Sequence, residues 1–358
     1  MAAVYGEVPS HADEVASLRI LDAGCGTGVS TDYLCHLNPG AQVLAVDISA
    51  GALEVARERL KRSGASDQMA VLRQEQRSLL DLEGEAPFDY INSVGVLHHL
   101  RDPLAGLKAL GSLLADTGLI HLFLYADGGR WEIHRTQSAL LRLGAGDGAE
   151  GLRLGRELFQ VLPEGNRLRQ NHEQRWLIDT AADSNFADMY LHPQETSYDL
   201  SGLFGLIDAA GLQFAGFSNP SVWDLNRLLS GELLERAAML PKREQWLLVE
   251  DLDPEISHFE FFVAKRPVQF NRWDDDAAVL QAIGRRQSCL WGWPSSSLLG
   301  PDLEPIALSE SELALLEAVE HQPKTRLGEL NLGPETVSVA RGLLLRRLLL
   351  LEACRTGA

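Results

Sequence analysis

The stretch from Arg19 to Gly28, which reads RILDAGCGTG, constrains the fold more than any other part of the sequence. It is an apolar run that stops at Asp22 and continues into alternating glycines. An apolar strand that leads into a glycine turn and then into a helix forms the nucleotide crevice of α/β sheets, because glycine adopts positive φ and allows a ligand to lie against the backbone. The stretch therefore predicts a site for an adenosine-containing ligand.

The glycine spacing separates two classes of ligand. Gly24, Gly26 and Gly28 read G-x-G-x-G, whereas the dinucleotide fingerprint G-x-G-x-x-G requires its last glycine at the position of Val29. The sequence therefore disfavours an NAD-dependent dehydrogenase.

Two later segments point to the same crevice. Residues 41–46 are apolar enough for a buried parallel strand, which ends at Asp47, where a carboxylate can accept hydrogen bonds from both hydroxyls of a ribose. The segment 88–100, FDYINSVGVLHHL, runs from a further strand into a polar loop. A glycine turn without a ligand is the alternative, and it would leave Asp22 and Asp47 as strand-end acids without partners.

Together, LDAGCGTG, AVDIS and FDYINSVGVLHHL resemble the class I S-adenosylmethionine (SAM)-dependent methyltransferases, over residues 18–125. The resemblance implies a Rossmann-like α/β fold, with a mostly parallel sheet whose last strand is antiparallel and with helical cap insertions. It also implies SAM as the cofactor and methyl transfer as the activity.

The resemblance carries specific roles to residues of this chain. Asp22 is expected to hold the methionine ammonium, Asp47 to bind the ribose, and Ile48 to pack on the adenine. Ser78 stands where an acid is commoner in the family, so contact with the adenine amino group is expected to depend on the backbone there. The predicted cofactor-binding residues are Asp22, Gly24, Cys25, Gly26, Gly28, Asp47, Ile48, Ser78, Leu79, Ser93 and Val94.

His98 and His99 follow the fourth strand, where an acceptor should meet the methyl group. Histidine titrates near neutral pH, so one of the two can act as a general base for an acceptor that arrives protonated. The alternative is a structural pair, with one ring bonded to the loop and the other packed in the core. We predict His98 and His99 as the catalytic candidates and no metal site.

Residues after the fifth strand and in the following insertion are the candidates for acceptor binding. Arg130 could pair with an acceptor carboxylate or phosphate, or form a surface ion pair. Tyr190 and Tyr198 could face a cationic acceptor, or pack the insertion onto the sheet. The predicted acceptor-binding residues are Tyr125, Arg130, Trp131, His134, Gln137, Tyr190, His192 and Tyr198.

The alternation of strands and helices divides the chain into four parts. Residues 1–127 are expected to form the SAM-binding core, in which one candidate helix, from Tyr5 to Ala16, precedes the first strand. A helical cap insertion is expected at 128–197, with helices over 131–143, 149–162 and 166–180. Residues 198–267 should complete the core around a second helical insertion, 223–250. Both insertions should cover the crevice, because they follow the carboxyl ends of strands.

Past Pro267 the sequence resembles a small winged-helix unit, 268–358. Arg341, Arg346 and Arg347 on or after its second helix could read DNA, but the leucines between them favour a packed helix.

Composition excludes several classes of partner. The formal net charge of -18 argues against binding to nucleic acid. The four cysteines, Cys25, Cys35, Cys289 and Cys354, are scattered, which predicts reduced thiols and a cytoplasmic protein. No apolar run of about 18 residues crosses the chain, so no membrane anchor is expected.

The interpretation that we favour is a SAM-dependent methyltransferase whose small-molecule acceptor is enclosed by the helical cap. The second is a methyltransferase for a protein side chain that docks its partner on the carboxyl-terminal unit. The third is a regulatory protein that binds SAM without turnover. Oligomeric state is not predicted.

Overall fold

The computed structural model describes residues 18–65, 71–192, 194–268, 273–288, 290–300 and 304–353. The helix expected at 5–16 lies outside the described residues, and so do Cys289 and Cys354. Among the described residues, no helix is long and apolar enough to cross a membrane.

A seven-stranded sheet forms the centre of the fold, in the order β3-β2-β1-β4-β5-β7-β6. β7 is antiparallel to both of its neighbours, whereas the pairs formed by β1 to β5 are parallel. The strands are β1 Arg19–Ala23, β2 Gln42–Asp47, β3 Val71–Gln76, β4 Phe88–Val94, β5 Leu114–Tyr125, β6 Gln213–Phe217 and β7 His258–Ala264. The predicted Rossmann-like sheet is confirmed, and its strand order reverses between β1 and β4, where such sheets open a crevice.

Local signals in the sequence set the ends of the core helices. Ser49 caps helix α2, which spans Ala50–Ser63, by accepting a hydrogen bond from Ala52 N at 3.2 Å. Gly64 ends that helix with φ of 78°. Asp102 caps α3 through Ala105 N at 3.0 Å. The core helices are α1 Val29–Leu37, α2 Ala50–Ser63 and α3 Pro103–Leu113.

The cap lies between β5 and β6 and has an apolar core of its own, built around Phe159, Phe186 and Tyr190. Its helices are α4 Trp131–Arg142, α5 Ala149–Val161, α6 Arg167–Asn171 and α7 Asp183–Leu191. The helix expected over 166–180 is shorter than predicted, because α6 passes into a π-helical turn, His172–Trp176. α7 was not predicted, since it opens on Asp-Ser-Asn, which is typical of a turn.

We expected the second insertion to cover the crevice, but it packs beside the sheet. After α8, Leu200–Ala209, its helices are α9 Gly231–Ala238 and α10 Lys242–Leu252. Trp246 and Val249 of α10 join the main core, and Glu250 accepts hydrogen bonds from Leu200 N at the start of α8. The apolar face of α10 is therefore buried beside the sheet.

The carboxyl-terminal unit has a separate apolar core that includes Leu315, Leu316 and Leu343. Its elements are α11 Asp276–Gln281, β8 Ile283–Arg286, β9 Ser297–Leu299, β10 Pro305–Ala307, α12 Glu310–His321, α13 Thr336–Leu345 and β11 Leu349–Glu352. β11 pairs antiparallel with β8, and β10 with β9. The winged-helix assignment stays a prediction. Arg341 donates to the carbonyl oxygens of Trp273 and Asp274, and Arg346 pairs with Glu312 at 2.6 Å, as expected for a packed helix.

Candidate active site

The glycine loop lies at the carboxyl end of β1 and forms one wall of a cavity of about 470 Å³. All three glycines have positive φ: 80° at Gly24, 52° at Gly26 and 80° at Gly28. A Cβ at Gly24 would lie 2.3 Å from Val96 Cγ2, and one at Gly28 would lie 2.8 Å from Ala56 Cβ. Among the residues that the structure describes, no atom lies within 4 Å of a Cβ placed at Gly26. Close packing therefore requires the outer glycines, while the central one leaves bare backbone open to a ligand.

Asp47 faces the same cavity from the end of β2. Its Oδ2 accepts a hydrogen bond from Gly26 N and its Oδ1 one from Ser49 N, both at 2.8 Å. A carboxylate can accept about four hydrogen bonds, so acceptor positions remain for sugar hydroxyls. Ile48 is 74% exposed and Leu79 is buried. Nine of the predicted cofactor- and acceptor-binding residues line this cavity: Gly24, Cys25, Gly26, Asp47, Ile48, Ser78, Leu79, Val94 and His192.

Three of the predicted cofactor-binding residues, Asp22, Gly28 and Ser93, do not line this cavity. Asp22 is 1% exposed, and its carboxylate accepts hydrogen bonds from Thr31 Oγ1 at 2.6 Å and from Asn92 Nδ2 at 2.9 Å. Burial raises the pKa of the Asp22 carboxyl group, and the hydrogen bonds from Thr31 and Asn92 oppose that rise. The predicted contact of Asp22 with a methionine ammonium stays a prediction.

A chain of hydrogen bonds continues from Asp22 across the sheet. Asn92 Oδ1 lies 3.0 Å from His121 Nδ1, and His121 Nε2 lies 2.9 Å from Glu260 Oε1. Because Asn92 Nδ2 donates to Asp22, its oxygen must face His121, so both imidazole nitrogens point at acceptors. The hydrogen bond from His121 lowers the pKa of the Glu260 carboxyl group.

The sequence analysis did not predict this chain of hydrogen bonds. Its only signal is the register that places Asp22, Asn92 and His121 side by side on adjacent strands.

The two predicted catalytic histidines have different environments. His98 is fully buried and stacks on Tyr125, with ring centroids 3.9 Å apart. Neither of its nitrogens makes a well-formed hydrogen bond within the described residues. Burial, with a smaller contribution from His99, lowers the pKa of His98 to about 3.

His99 lines the cavity, and its Nδ1 lies 3.2 Å from Gln194 O. Burial lowers its pKa as well. The ring of His99 lies 4.0 Å from that of His192.

Arg130, His134 and Gln137 converge on Glu195, which was not predicted. Arg130 Nη2 lies 2.9 and 3.0 Å from the two carboxylate oxygens of Glu195, and both side chains are at most 6% exposed. His134 Nε2 lies 3.4 Å from Glu195 Oε1, and Gln137 Nε2 donates to Oε2 at 3.3 Å. The Arg130 guanidinium lies 3.5 Å from the centre of the Tyr125 ring. The ion pair that we considered for Arg130 was a surface pair. The pair with Glu195 is instead buried, at the base of the cap.

The other predicted acceptor-binding residues do not bond to Glu195, although Tyr190 and His192 line a cavity of about 520 Å³ together with His134, Gln137 and Glu195. Tyr190 is buried in the cap, with its hydroxyl 3.1 Å from His172 Nδ1. Tyr198 N donates to Tyr125 O at 3.0 Å, and its side chain packs against the main core. Trp131 is 46% exposed, with the Arg167 guanidinium 4.6 Å from its ring. The packing role that we considered for the two tyrosines fits these positions.

A second cavity, of about 270 Å³, lies between the cap and the ends of β5 and β7. Its lining combines aromatic rings with two aspartates and an amide. The lining residues are Phe123, Tyr125, Arg130, Trp176, Asp179, Asn185, Asp188, Met189, Ser257 and His258. Asp188 Oδ1 lies 3.9 Å from His99 Nε2, so the two cavities meet at this pair.

Comparisons with known proteins agree with this geometry. A family profile described as a methyltransferase domain matches residues 21–120. An uncharacterized protein of Synechococcus sp. is 47% identical over 318 residues, which span 87% of this chain and 76% of that protein. A ubiquinone biosynthesis O-methyltransferase of Xanthomonas euvesicatoria is 36% identical over 111 residues, or 30% of this chain and 44% of that one.

Among solved structures, PKMT2 from Rickettsia typhi in complex with AdoHcy superposes with a TM-score of 0.69 at 16% identity. The match covers 98% of this chain and 74% of that one. At this identity the likeness shows a shared fold.

Proposed function

Because the chain belongs to the class I SAM-dependent methyltransferase superfamily, we propose that it transfers the methyl group of SAM to a small molecule held in the second cavity beneath the cap. SAM is the cofactor of the superfamily, and it supplies a methyl group that its sulfonium already activates. The protein has to bind the cofactor and align the acceptor with the methyl carbon and the sulfur.

The glycine loop and Asp47 fit the nucleoside part of this cofactor. Gly26 offers open backbone, and Asp47 has free acceptor positions beside it. We assign the ribose to Asp47 and the adenine to the face formed by Ile48 and Leu79. These assignments rest on the cavity lining and on the hydrogen bonds of Asp47.

The observation that carries the proposal is that the two cavities meet at His99 and Asp188. An acceptor in the second cavity would face a methyl group in the first across this contact. A volume of about 270 Å³ suits a small acceptor. His99 is the better candidate for a base, because the low pKa of His98 makes that ring a weak base at neutral pH.

Transfer of label from tritiated SAM to a cell extract tests the proposal. The extract is separated into small molecules and proteins before each fraction is incubated with the full-length chain. We expect label in the small-molecule fraction. Label in neither fraction, with SAM binding retained in calorimetry, would contradict turnover and favour a SAM-binding regulatory protein.

A protein side chain is the second candidate acceptor. Asp179 and Asp188 line the second cavity beside the ring of Trp176, and these groups favour a cationic acceptor on the side of the cavity away from Arg130. The net charge of -18 also favours a basic partner. Label in the protein fraction alone would support this acceptor and exclude the small molecule.

A further inference from the structure

We propose that His99, Asp188 and His192 form a binding site for a divalent first-row transition metal ion, at the contact between the cap and the cofactor cavity. Each of these side chains has one atom that can bind a metal, and the three atoms all lie within 4.8 Å of one another. Two imidazoles and a carboxylate are a donor set that binds zinc, iron or cobalt and leaves coordination positions open. The sequence predicted no metal site, because His99 is far from the other two residues along the chain.

The orientation of His99 supports this role. Its Nδ1 lies 3.2 Å from Gln194 O, so Nδ1 carries the proton and Nε2 presents its lone pair. Nε2 faces Asp188 Oδ1 at 3.9 Å, too far for a hydrogen bond and close enough for both atoms to bind one ion. A hydrogen bond from the outer nitrogen to a backbone carbonyl is the usual arrangement of a histidine that binds metal.

Asp188 and His192 come from one turn of the cap. Asp188 lies in α7 and His192 directly follows that helix, so their spacing of four residues places them on the same side. His99 belongs to the turn after β4. A shared ion would therefore join the cap to the core.

Ion binding has to draw these groups together. Metal–ligand bonds of about 2.0–2.2 Å at tetrahedral angles hold ligand atoms about 3.3–3.6 Å apart. The ligand atoms, which now lie within 4.8 Å of one another, must therefore close by up to about 1.5 Å. His192 Nδ1 now accepts a hydrogen bond from Gln194 N at 3.2 Å, and this bond must give way if the ring is to ligate. The site is thus completed by the ion, and its affinity should be modest.

The position of the site gives the ion a second role, which rests on the proposed function. His99 and His192 line the cofactor cavity, whereas Asp188 lines the second cavity. An ion between them would have open positions for an oxygen or nitrogen atom of the acceptor. With the ion bound, it would replace His99 in activating a protonated acceptor, because a ligated Nε2 cannot accept a proton. Metal binding itself does not depend on that role.

Titration of the metal-free, full-length protein with Co²⁺ and Zn²⁺ tests the site, by calorimetry and by the visible spectrum of bound Co²⁺. We expect one equivalent to bind, and His99→Ala, Asp188→Asn and His192→Gln each to weaken binding at least about tenfold. Mg²⁺ prefers oxygen ligands, so it should compete poorly with Co²⁺ or Zn²⁺ at this site. Carboxylates elsewhere on the acidic surface should bind Mg²⁺ as readily as they bind Co²⁺ or Zn²⁺.

His36→Ala is the matched control. His36 is an exposed histidine with Asp32 four residues before it and 3.5 Å away, so it repeats the spacing of Asp188 and His192 outside the site. We expect this variant to bind the ion as the wild type does. Equal loss in His36→Ala and His192→Gln, or no binding by the wild type, would overturn the proposal. Asp188→Asn and His192→Gln change partly exposed residues, so the test stands even if His99→Ala does not fold.

SAM binding is measured separately on the same metal-free protein. Retained SAM binding without metal binding would refute the metal site and leave the proposed function intact. Metal binding without SAM binding would refute the proposed function and leave the metal site intact.

Discussion

The cofactor cavity and the second cavity are built by different means. The first is formed largely by backbone at the ends of β1, β2 and β4, with a loop whose close packing admits only glycine at two positions. The second is formed by side chains from three separated segments, around Tyr125, Asp188 and His258. The cofactor side therefore depends on local conformation, and the acceptor side depends on how the cap packs on the sheet. Five substitutions test this difference, in order from the largest expected effect to the smallest.

Glu195→Ala should have the largest effect, because it leaves the buried guanidinium of Arg130 without its partner. Breaking a buried ion pair in this way costs about 3–5 kcal/mol. We expect the free energy of unfolding in urea to fall by that amount. Glu232→Ala, which removes an exposed pair with Arg236, should leave it unchanged. A small effect of Glu195→Ala would show that the cap does not depend on this pair.

His98→Ala and His99→Ala should separate packing from turnover. His98 is fully buried, so its removal leaves a cavity and should lower the free energy of unfolding by about 2–4 kcal/mol. His99→Ala should lower kcat more than it weakens SAM binding, with little effect on stability. Steady-state kinetics, SAM calorimetry and urea unfolding of both variants check this. Equal losses of turnover and SAM affinity in His99→Ala would indicate a structural role.

Asp47→Ala should weaken SAM binding by about 1.5–3 kcal/mol, the usual contribution of a hydrogen bond to a charged group. The loss also removes the acceptor of Gly26 N, which orients the glycine loop. Calorimetry measures the affinity, with Asp116→Ala as the control, since that acid pairs with Arg266 in an exposed ion pair. Unchanged affinity would contradict the placement of the ribose.

Glu260→Gln should have the smallest effect. The His121 contact lowers the pKa of Glu260, so the carboxylate stabilises the fold above its unfolded pKa, and that contribution is lost as the pH falls through the lowered value. Its side chain is 40% exposed, so solvent screening limits the contribution to about 1 kcal/mol or less. Urea unfolding at pH 7 and in acid should show a difference between wild type and variant that shrinks in acid. A difference that is constant with pH would contradict the stabilising contact between His121 and Glu260.

The contrast between the two cavities also explains what the sequence could predict. The glycine loop, Ser49 and Asp102 act within a few residues of themselves, so each of these local signals lies where the turn or helix that it specifies begins. Asp47 was found because a strand-end acid follows one helix after the loop. These are short-range rules.

Glu195, Asp188 and His121 could not be found in this way. Glu195 meets Arg130 across 65 residues and His121 meets Glu260 across 139, and no periodicity connects such positions. Arg130 itself was identified, but its partner depends on how the segment after α7 returns to the sheet. There Gln194 Nε2 donates to His99 O and Thr196 N donates to His98 O, at 3.1 and 2.8 Å.

The pairing of β8 with β11 has a consequence for biosynthesis. Ile283 near the start of the carboxyl-terminal unit is aligned with Glu352 near its end. The first strand of the unit therefore cannot pair until the last strand has been synthesised. During translation, β8 leaves the ribosome well before its partner, while the Rossmann-like sheet is already complete. Folding of this unit is thus a late event, and a nascent chain halted short of Leu349 would expose an unpaired strand edge.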